Sequence, residues 1–339
     1  MGLPAARTAA GLAPRRASSP GRTPGLGRVL ALTLALAAAA GCRHRPDGDA
    51  APPDARAAGD AGTDAAPLGT DAAPPPACAV AVTACNGDDA LCDRAYDDVT
   101  YPTTHNAMSN DDEGWLIPNQ HHGITRQLAD GVRGLMLDVH PYLGGTYLCH
   151  GVCSLGNEPL ADGLSKVRAF LEVCPREVVS LIFESYVPAA DVAAAFAASG
   201  LDAYVWTQAA GAPWPTLREM IDGGARLVAF TDYDAGAPAW YHDVWAFAWE
   251  TPYAFDTPAD FTCAMNRGVA GNPLFILNHF LTNPLASPAN AEMVNYDPLF
   301  LDRALACQAA SGALPNFPTV DFYDIGDLFT VAATLNGTL

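Results

Sequence analysis

Seven short apolar or β-branched runs, each stopping at a polar residue, constrain this chain more than any other feature. They are 99–104 before His105-Asn106, 134–137 before Asp138, 146–149 before His150, 178–183 before Glu184, 227–231 before Asp232, 274–277 before Asn278-His279, and 318–320 before Asp321. Helix-compatible stretches separate several of them, at 124–129, 160–172, 189–198, 215–221 and 289–310. Apolar strands alternating with helices indicate a parallel sheet with covered faces, hence an α/β fold. The roughly 260 residues from Cys78 onward suit a (β/α)8 barrel, in which active sites gather at the carboxyl ends of the strands. A doubly wound sheet would concentrate such residues at one crevice, so the barrel accounts for more of the seven.

The amino terminus is organised differently. Five arginines and no acid precede the apolar run 29–40, which is shorter than the ~20 residues of a spanning helix and reads as an export signal over 1–41. The segment Ala39-Ala40-Gly41-Cys42 resembles a bacterial lipobox with Ala39 where leucine is usual; lipidation of Cys42 would anchor the protein at a membrane. Ordinary cleavage with Cys42 incidental is the plainer alternative. Residues 42–77 hold no aromatic and are mostly Ala, Pro, Gly, Asp and Thr, which suits a flexible linker. One domain is then expected over 78–339.

Setting Cys42 aside leaves eight cysteines, enough for four disulfides in an oxidising compartment; no C-x2-C pair favours zinc. The formal net charge is -19, and loss of 1–41 moves it to about -24. With one lysine, Lys166, such a surface disfavours nucleic acid. A monomer is expected.

Two histidines at neighbouring strand ends, His105 and His150, suit a reaction in which one group takes a proton from a hydroxyl and another returns one to a leaving oxygen. Phosphodiester cleavage needs both transfers, and a substrate hydroxyl can be the nucleophile. No G-x-S-x-G elbow, P-loop, G-x-G-x-x-G or H-E-x-x-H is present.

The segments Thr103-Thr104-His105-Asn106-Ala107, Gly131-Val132-Arg133-Gly134-Leu135-Met136-Leu137-Asp138, Leu148-Cys149-His150, Val178 through Val187, Leu277-Asn278-His279-Phe280 and Pro315 through Tyr323 carry a resemblance. In that order, from Cys85 to about Ile325, the chain resembles the phosphatidylinositol-specific phospholipase C X-domain proteins, most closely the plant-type branch. The resemblance implies a distorted TIM barrel of the PLC-like phosphodiesterase type. It implies His105 as base on an inositol 2-hydroxyl, His150 as acid toward the lipid leaving oxygen, and a cyclic phosphate product.

In calcium-dependent relatives the metal is held by the Asn after the first His, a Glu-x-Asp strand and a later Glu. Asn106, Asp138 and Glu184 match, but Met136 replaces the first Glu, so Ca2+ would be held weakly. Metal-independent relatives place an arginine where His140 stands; a protonated His140 is the alternative charge-stabilising group. Both readings stand at this level. Asp232, Asn278, Asp321 and Tyr323 are candidate substrate contacts or, for the polar three, groups orienting a histidine. Tyr186 and Trp249 suit an apolar wall or the core, and Arg133, at odd spacing from Asp138, is expected to point away from the site. The alternatives are glycerophosphodiester or sphingophospholipid cleavage, whose His-Arg-Gly start and Glu-x-Asp pair are absent, and a silent surface lipoprotein, which Met136 favours and the histidine pair disfavours.

Overall fold

The structure, a computed structural model, describes Cys78 and residues 83–339. The export segment, Cys42 and the linker to residue 77 lie outside the described residues. In chain order the elements are β1 (Thr103–Thr104), α1 (Ile124–Asp130), β2 (Gly134–Tyr142), β3 (Gly145–Leu148), β4 (Glu158–Pro159), α2 (Leu160–Val173), β5 (Val179–Ser185), α3 (Ala189–Ser199) and α4 (Leu217–Asp222). There follow β6 (Leu227–Thr231), β7 (Tyr241–Asp243), α5 (Val244–Phe247), β8 (Ala248–Glu250), β9 (Leu274–Asn278), α6 (Pro288–Val294), α7 (Leu299–Ser311), β10 (Phe317–Val320) and α8 (Leu328–Asn336).

Eight of the strands form one parallel path in the order β7-β6-β5-β2-β1-β10-β9-β8. This is a distorted TIM barrel. The distortion lies between β7 and β8, which do not pair among the described residues and are joined by the single turn of α5. The edge of β8 away from β9 is covered instead by 266–268. Asn266 N–H donates to the Glu250 carbonyl at 2.8 Å and Glu250 N–H to the Arg267 carbonyl at 3.0 Å. Gly268 makes this possible: it has φ +92, and a Cβ there would collide with the Ala248 carbonyl and the Trp249 backbone.

Side-chain alternation decides what enters the barrel. On β2, Leu135, Leu137 and Val139 pack outward in the cluster shared with Leu164, Val167 and Leu171 of α2, so Met136, Asp138 and His140 take the inner face. On β5 the outward set is Val179, Leu181 and Phe183, which leaves Ile182 and Glu184 inside. The end opposite the strand termini is closed by Tyr96, Tyr101, Trp214 and Phe317, with Tyr96 Oη 2.6 Å from Ser180 Oγ. Arg133 points out, as its spacing predicts, into a buried ion pair with Glu177 at 2.7 Å.

Several expectations change. His150 does not end a barrel strand: the run 146–149 is the antiparallel partner of β2, and the hairpin turns the chain back. Cys149 N–H then bonds the Asp138 carbonyl at 3.2 Å, so His150 returns to the barrel mouth by another route. The stretch 289–310 is two helices, because Pro298 has no N–H to continue the first. The barrel strands β7 and β8, at three residues each, were not anticipated, and neither was α8. The eight cysteines pair as Cys78–Cys174, Cys85–Cys92, Cys149–Cys153 and Cys263–Cys307. The third bond brackets His150.

Candidate active site

At the carboxyl ends of the strands lies a cavity of about 180 Å³ lined by His105, Met136, Asp138, Glu184, Asp232, Trp245, Glu250, Tyr253, Arg267, Asn278 and Phe280, among others. His105 follows β1 directly. Its Nδ1 lies 2.9 Å from Asp321 Oδ1, which follows β10, the neighbouring strand. A carboxylate only accepts, so Nδ1 carries the proton and Nε2 presents its lone pair. Asn106 Nδ2 donates to that Nε2 at 3.2 Å, and Phe280 stacks on the ring with centroids 4.0 Å apart.

Asp321 is itself held. Asn119 Nδ2 donates to its Oδ1 at 3.0 Å, and both residues are buried. Gln120 Nε2 donates to the His105 carbonyl at 2.8 Å. The segment 106–123 therefore wraps the dyad, a role no local pattern in it announces.

The electrostatics are those of crowded acids. Burial opposes a charged His105, but Asp321, then Asp138 and Glu184, outweigh it and raise its pKa. Asp138 is pushed up to about 8 by burial and by the charge of Glu184, with Asp232 adding and His105 opposing. Burial also raises Asp232, although Ser185 N–H donates to it at 3.0 Å.

His150 is exposed beside this cavity, in an apolar groove of about 150 Å³ with Trp115, Leu116, Ile117, Leu155 and Leu285. Although its surface is open to solvent, the protein packed around the ring partly desolvates it, and this, with the proximity of His105, lowers its pKa.

Not every predicted residue joins the cavity. His140 stacks on Tyr186 at 4.2 Å and does not line the cavity; its Nε2 is buried without a partner, and burial lowers its pKa, which disfavours the charged form that a phosphate would need. Tyr323 is 1% exposed with its hydroxyl on Asp130 at 2.7 Å, so it belongs to the core rather than to a substrate wall. Trp249 stacks on Phe275 and is buried too. Tyr186 stands at the mouth, its hydroxyl on Glu184. His279 is neutral, pushed down to about 3 by burial and Arg303.

Asn278 lines the cavity with its amide on Glu250 Oε2 at 3.0 Å. Sequence reasoning missed Glu250 and Arg267: β8 is too short to register as a run, and Arg267 sits in a loop.

Among the described residues no three His, Cys, Asp or Glu side chains make a metal cluster. Asn106, Asp138 and Glu184 nevertheless carry hard oxygen donors, and burial, then the charge of Glu184, disfavours the charged form of Asp138.

The family model described as PI-PLC X matches residues 91–336. The chain belongs to the PI-PLC X family. An uncharacterized secreted protein of Arthroderma benhamiae is 33% identical over 74% of this chain and 64% of its own length. A PI-PLC X domain-containing protein of Arabidopsis thaliana is 31% identical over 71% and 62%. This PI-PLC X chain thus spans a little under two thirds of those two relatives. The phosphatidylinositol-specific phospholipase C of Listeria monocytogenes superposes with a TM-score of 0.49 at 16% identity, over 73% of this chain and 95% of that one.

Proposed function

We propose that this PI-PLC X barrel cleaves an inositol phosphodiester by acid-base catalysis with His105 and His150. The observation that carries the reading is the His105–Asp321 dyad, whose histidine lines a polar cavity, with a second imidazole, His150, in a separate groove but near enough for its charge to interact with His105.

In this reading His105 Nε2 takes the proton of the substrate's 2-hydroxyl as that oxygen attacks phosphorus, and Asp321 stabilises the imidazolium formed. His150 protonates the departing lipid oxygen as its bond to phosphorus breaks, leaving a cyclic phosphate that water opens with the roles reversed. The apolar groove around His150 suits a diacylglycerol leaving group. Asn106, Asp138 and Glu184 would hold Ca2+, which supplies positive charge to the phosphate oxygens when bound. Export through 1–41 agrees with four disulfides, and anchoring at Cys42 would keep the barrel near a lipid surface.

Phosphorus NMR of the full-length protein acting on phosphatidylinositol in detergent micelles tests this. A cyclic inositol phosphate signal is expected at early times, before water opens it; non-inositol products, or open-chain phosphate formed with no cyclic precursor in the early time course, would overturn it.

The pH profile is a sharper test. The productive form needs His105 neutral and His150 charged, yet His105 is raised and His150 lowered, so it is a minority form of the free enzyme. In that reversed order the high-pH break of kcat/KM reports His105. Asp321→Asn removes a group that raises His105, so this break should move to lower pH; an unmoved break would contradict the dyad's role.

Calcium gives a readout independent of turnover. With Met136 removing a donor, affinity should fall in the weak range of about 10⁻⁴–10⁻³ M. Millimolar Ca2+ should therefore raise the unfolding temperature of the wild type and leave Asp138→Asn unchanged. Equal shifts in both would place the ion elsewhere.

A further inference from the structure

The two histidines of the proposed reaction are held in different ways. His105 is fixed through its side chain, by Asp321, Asn106 and the ring of Phe280. The His150 imidazole makes no hydrogen bond or ring stack among the described residues, and His150, Gly151 and Val152 are all exposed. What fixes His150 is therefore its backbone. Cys149, fully buried, donates its N–H to the Asp138 carbonyl at 3.2 Å. Val152 N–H closes a tight turn on the His150 carbonyl at 2.7 Å, around Gly151 at φ +64. Two hydrogen bonds in an exposed loop hold it only loosely. The Cys149–Cys153 bond holds it far more firmly: five residues can span roughly 13 Å when extended, and it keeps their ends 5.0 Å apart.

Both ends of the closed loop are tied to the frame of His105. Cys149 hangs from β2 at Asp138, whose side chain lines the cavity. Cys153 opens a short turn, with Asn157 Nδ2 on its carbonyl at 2.9 Å, and the Leu155 carbonyl at the end of that turn accepts from Leu116 N–H at 2.7 Å. Gly156 then lies against the Trp115 ring, where a Cβ would come within 2.5 Å of ring carbons. Trp115 and Leu116 belong to the segment 106–123, which also brings Asn119 to Asp321. The disulfide thus ties the His150 loop to the segment that orients the dyad. Stability gives this bond less to do: it closes a separation of 4, against 96 for Cys78–Cys174 and 44 for Cys263–Cys307, and the loop-closure contribution grows with separation.

We propose that the Cys149–Cys153 disulfide is the positioning device for His150, holding the imidazole where a leaving oxygen can be protonated, so that proton delivery works only while the bond is intact. This rests on the acid-base reading above and adds a covalent requirement to it. A loop freed at Cys153 lets the imidazole swing into solvent, and a displacement of about 1 Å is enough to cost about 10²-fold in rate. The loss falls on the step that needs an acid. An alkoxide departs poorly unless it is protonated, whereas p-nitrophenolate departs near neutral pH without a proton.

The test compares the butyl and p-nitrophenyl esters of myo-inositol 1-phosphate as soluble substrates of the full-length protein. Four forms are assayed: wild type, Cys149→Ala with Cys153→Ala, Cys85→Ala with Cys92→Ala, and His150→Ala. The readout is the ratio of kcat for the butyl ester to kcat for the p-nitrophenyl ester. Unfolded molecules lower both rates alike, so a loss of stability leaves the ratio unchanged. Removing Cys149–Cys153 should lower the ratio about 10- to 100-fold, with KM for the butyl ester within a few fold, and His150→Ala should lower it at least as much. Removing Cys85–Cys92, another short-range bond but one packed with Tyr96 and Trp214 at the closed end of the barrel, should keep the wild-type ratio. A wild-type ratio without Cys149–Cys153, beside a lowered one in His150→Ala, would overturn the inference and leave the catalytic reading standing. Equal losses on the two esters, or a lowered ratio without Cys85–Cys92, would also overturn it, since the bond would then act through general structure. A wild-type ratio in His150→Ala would sink the acid role of His150 and this inference with it.

Discussion

Replacing His105 with alanine is expected to lower phosphatidylinositol cleavage by about 10³- to 10⁴-fold without unfolding the protein. The imidazole sits a quarter exposed at the cavity floor, so its loss leaves a polar space that water can fill. What is lost is the group that accepts the nucleophile's proton. Asp321 remains, but it is engaged by Asn119 and has no line of hydrogen bonds to substrate except through the imidazole. His150→Ala should cost about 10²- to 10⁴-fold, since it removes the proton donor to an alkoxide leaving group, which departs poorly unprotonated. Because both act in one displacement, the double variant should fall little below the worse single variant. Rates measured as cyclic phosphate formed per unit time check this. Retention of more than a tenth of wild-type activity in either single variant would remove that histidine from the chemistry.

The largest effect on stability is expected far from the cavity. Arg133 is 6% exposed and Glu177 2% exposed, and they meet at 2.7 Å beneath α2. Arg133 Nη1 also donates to the Leu128 and Val132 carbonyls, both at 2.8 Å, and the guanidinium lies over Phe170. Glu177→Ala would leave this guanidinium buried without its counter-charge, at a cost of about 3–5 kcal/mol. Replacing both partners, as in Arg133→Met with Glu177→Leu, should recover most of that, because an apolar pair of similar volume carries no desolvation penalty. Urea unfolding at constant pH measures the difference. A loss below about 1 kcal/mol in Glu177→Ala would mean that water or another acid reaches Arg133.

The candidate site was partly legible because period-2 alternation is a local property. Asp138 and Glu184 lie on inward positions of long apolar strands, and the chain's pattern alone marks them. Arg133, an odd number of residues from Asp138, points outward for the same reason. His150 shows where local reading stops. The run 146–149 has the composition of a barrel strand, yet it pairs antiparallel with β2, and only that pairing returns His150 to the mouth.

Order along the chain therefore determined the α/β alternation, the barrel class and the inward parity of its longer strands, since these depend on side chains a few residues apart. The tertiary structure decided the rest. His105 and Asp321 are 216 residues apart and meet because β1 and β10 are neighbours in the sheet. Asn119 reaches Asp321 across 202 residues, and Arg267 enters the cavity because β7 and β8 leave an edge to cover. Such contacts are set by strand pairing between distant segments, for which no local periodicity exists to be read.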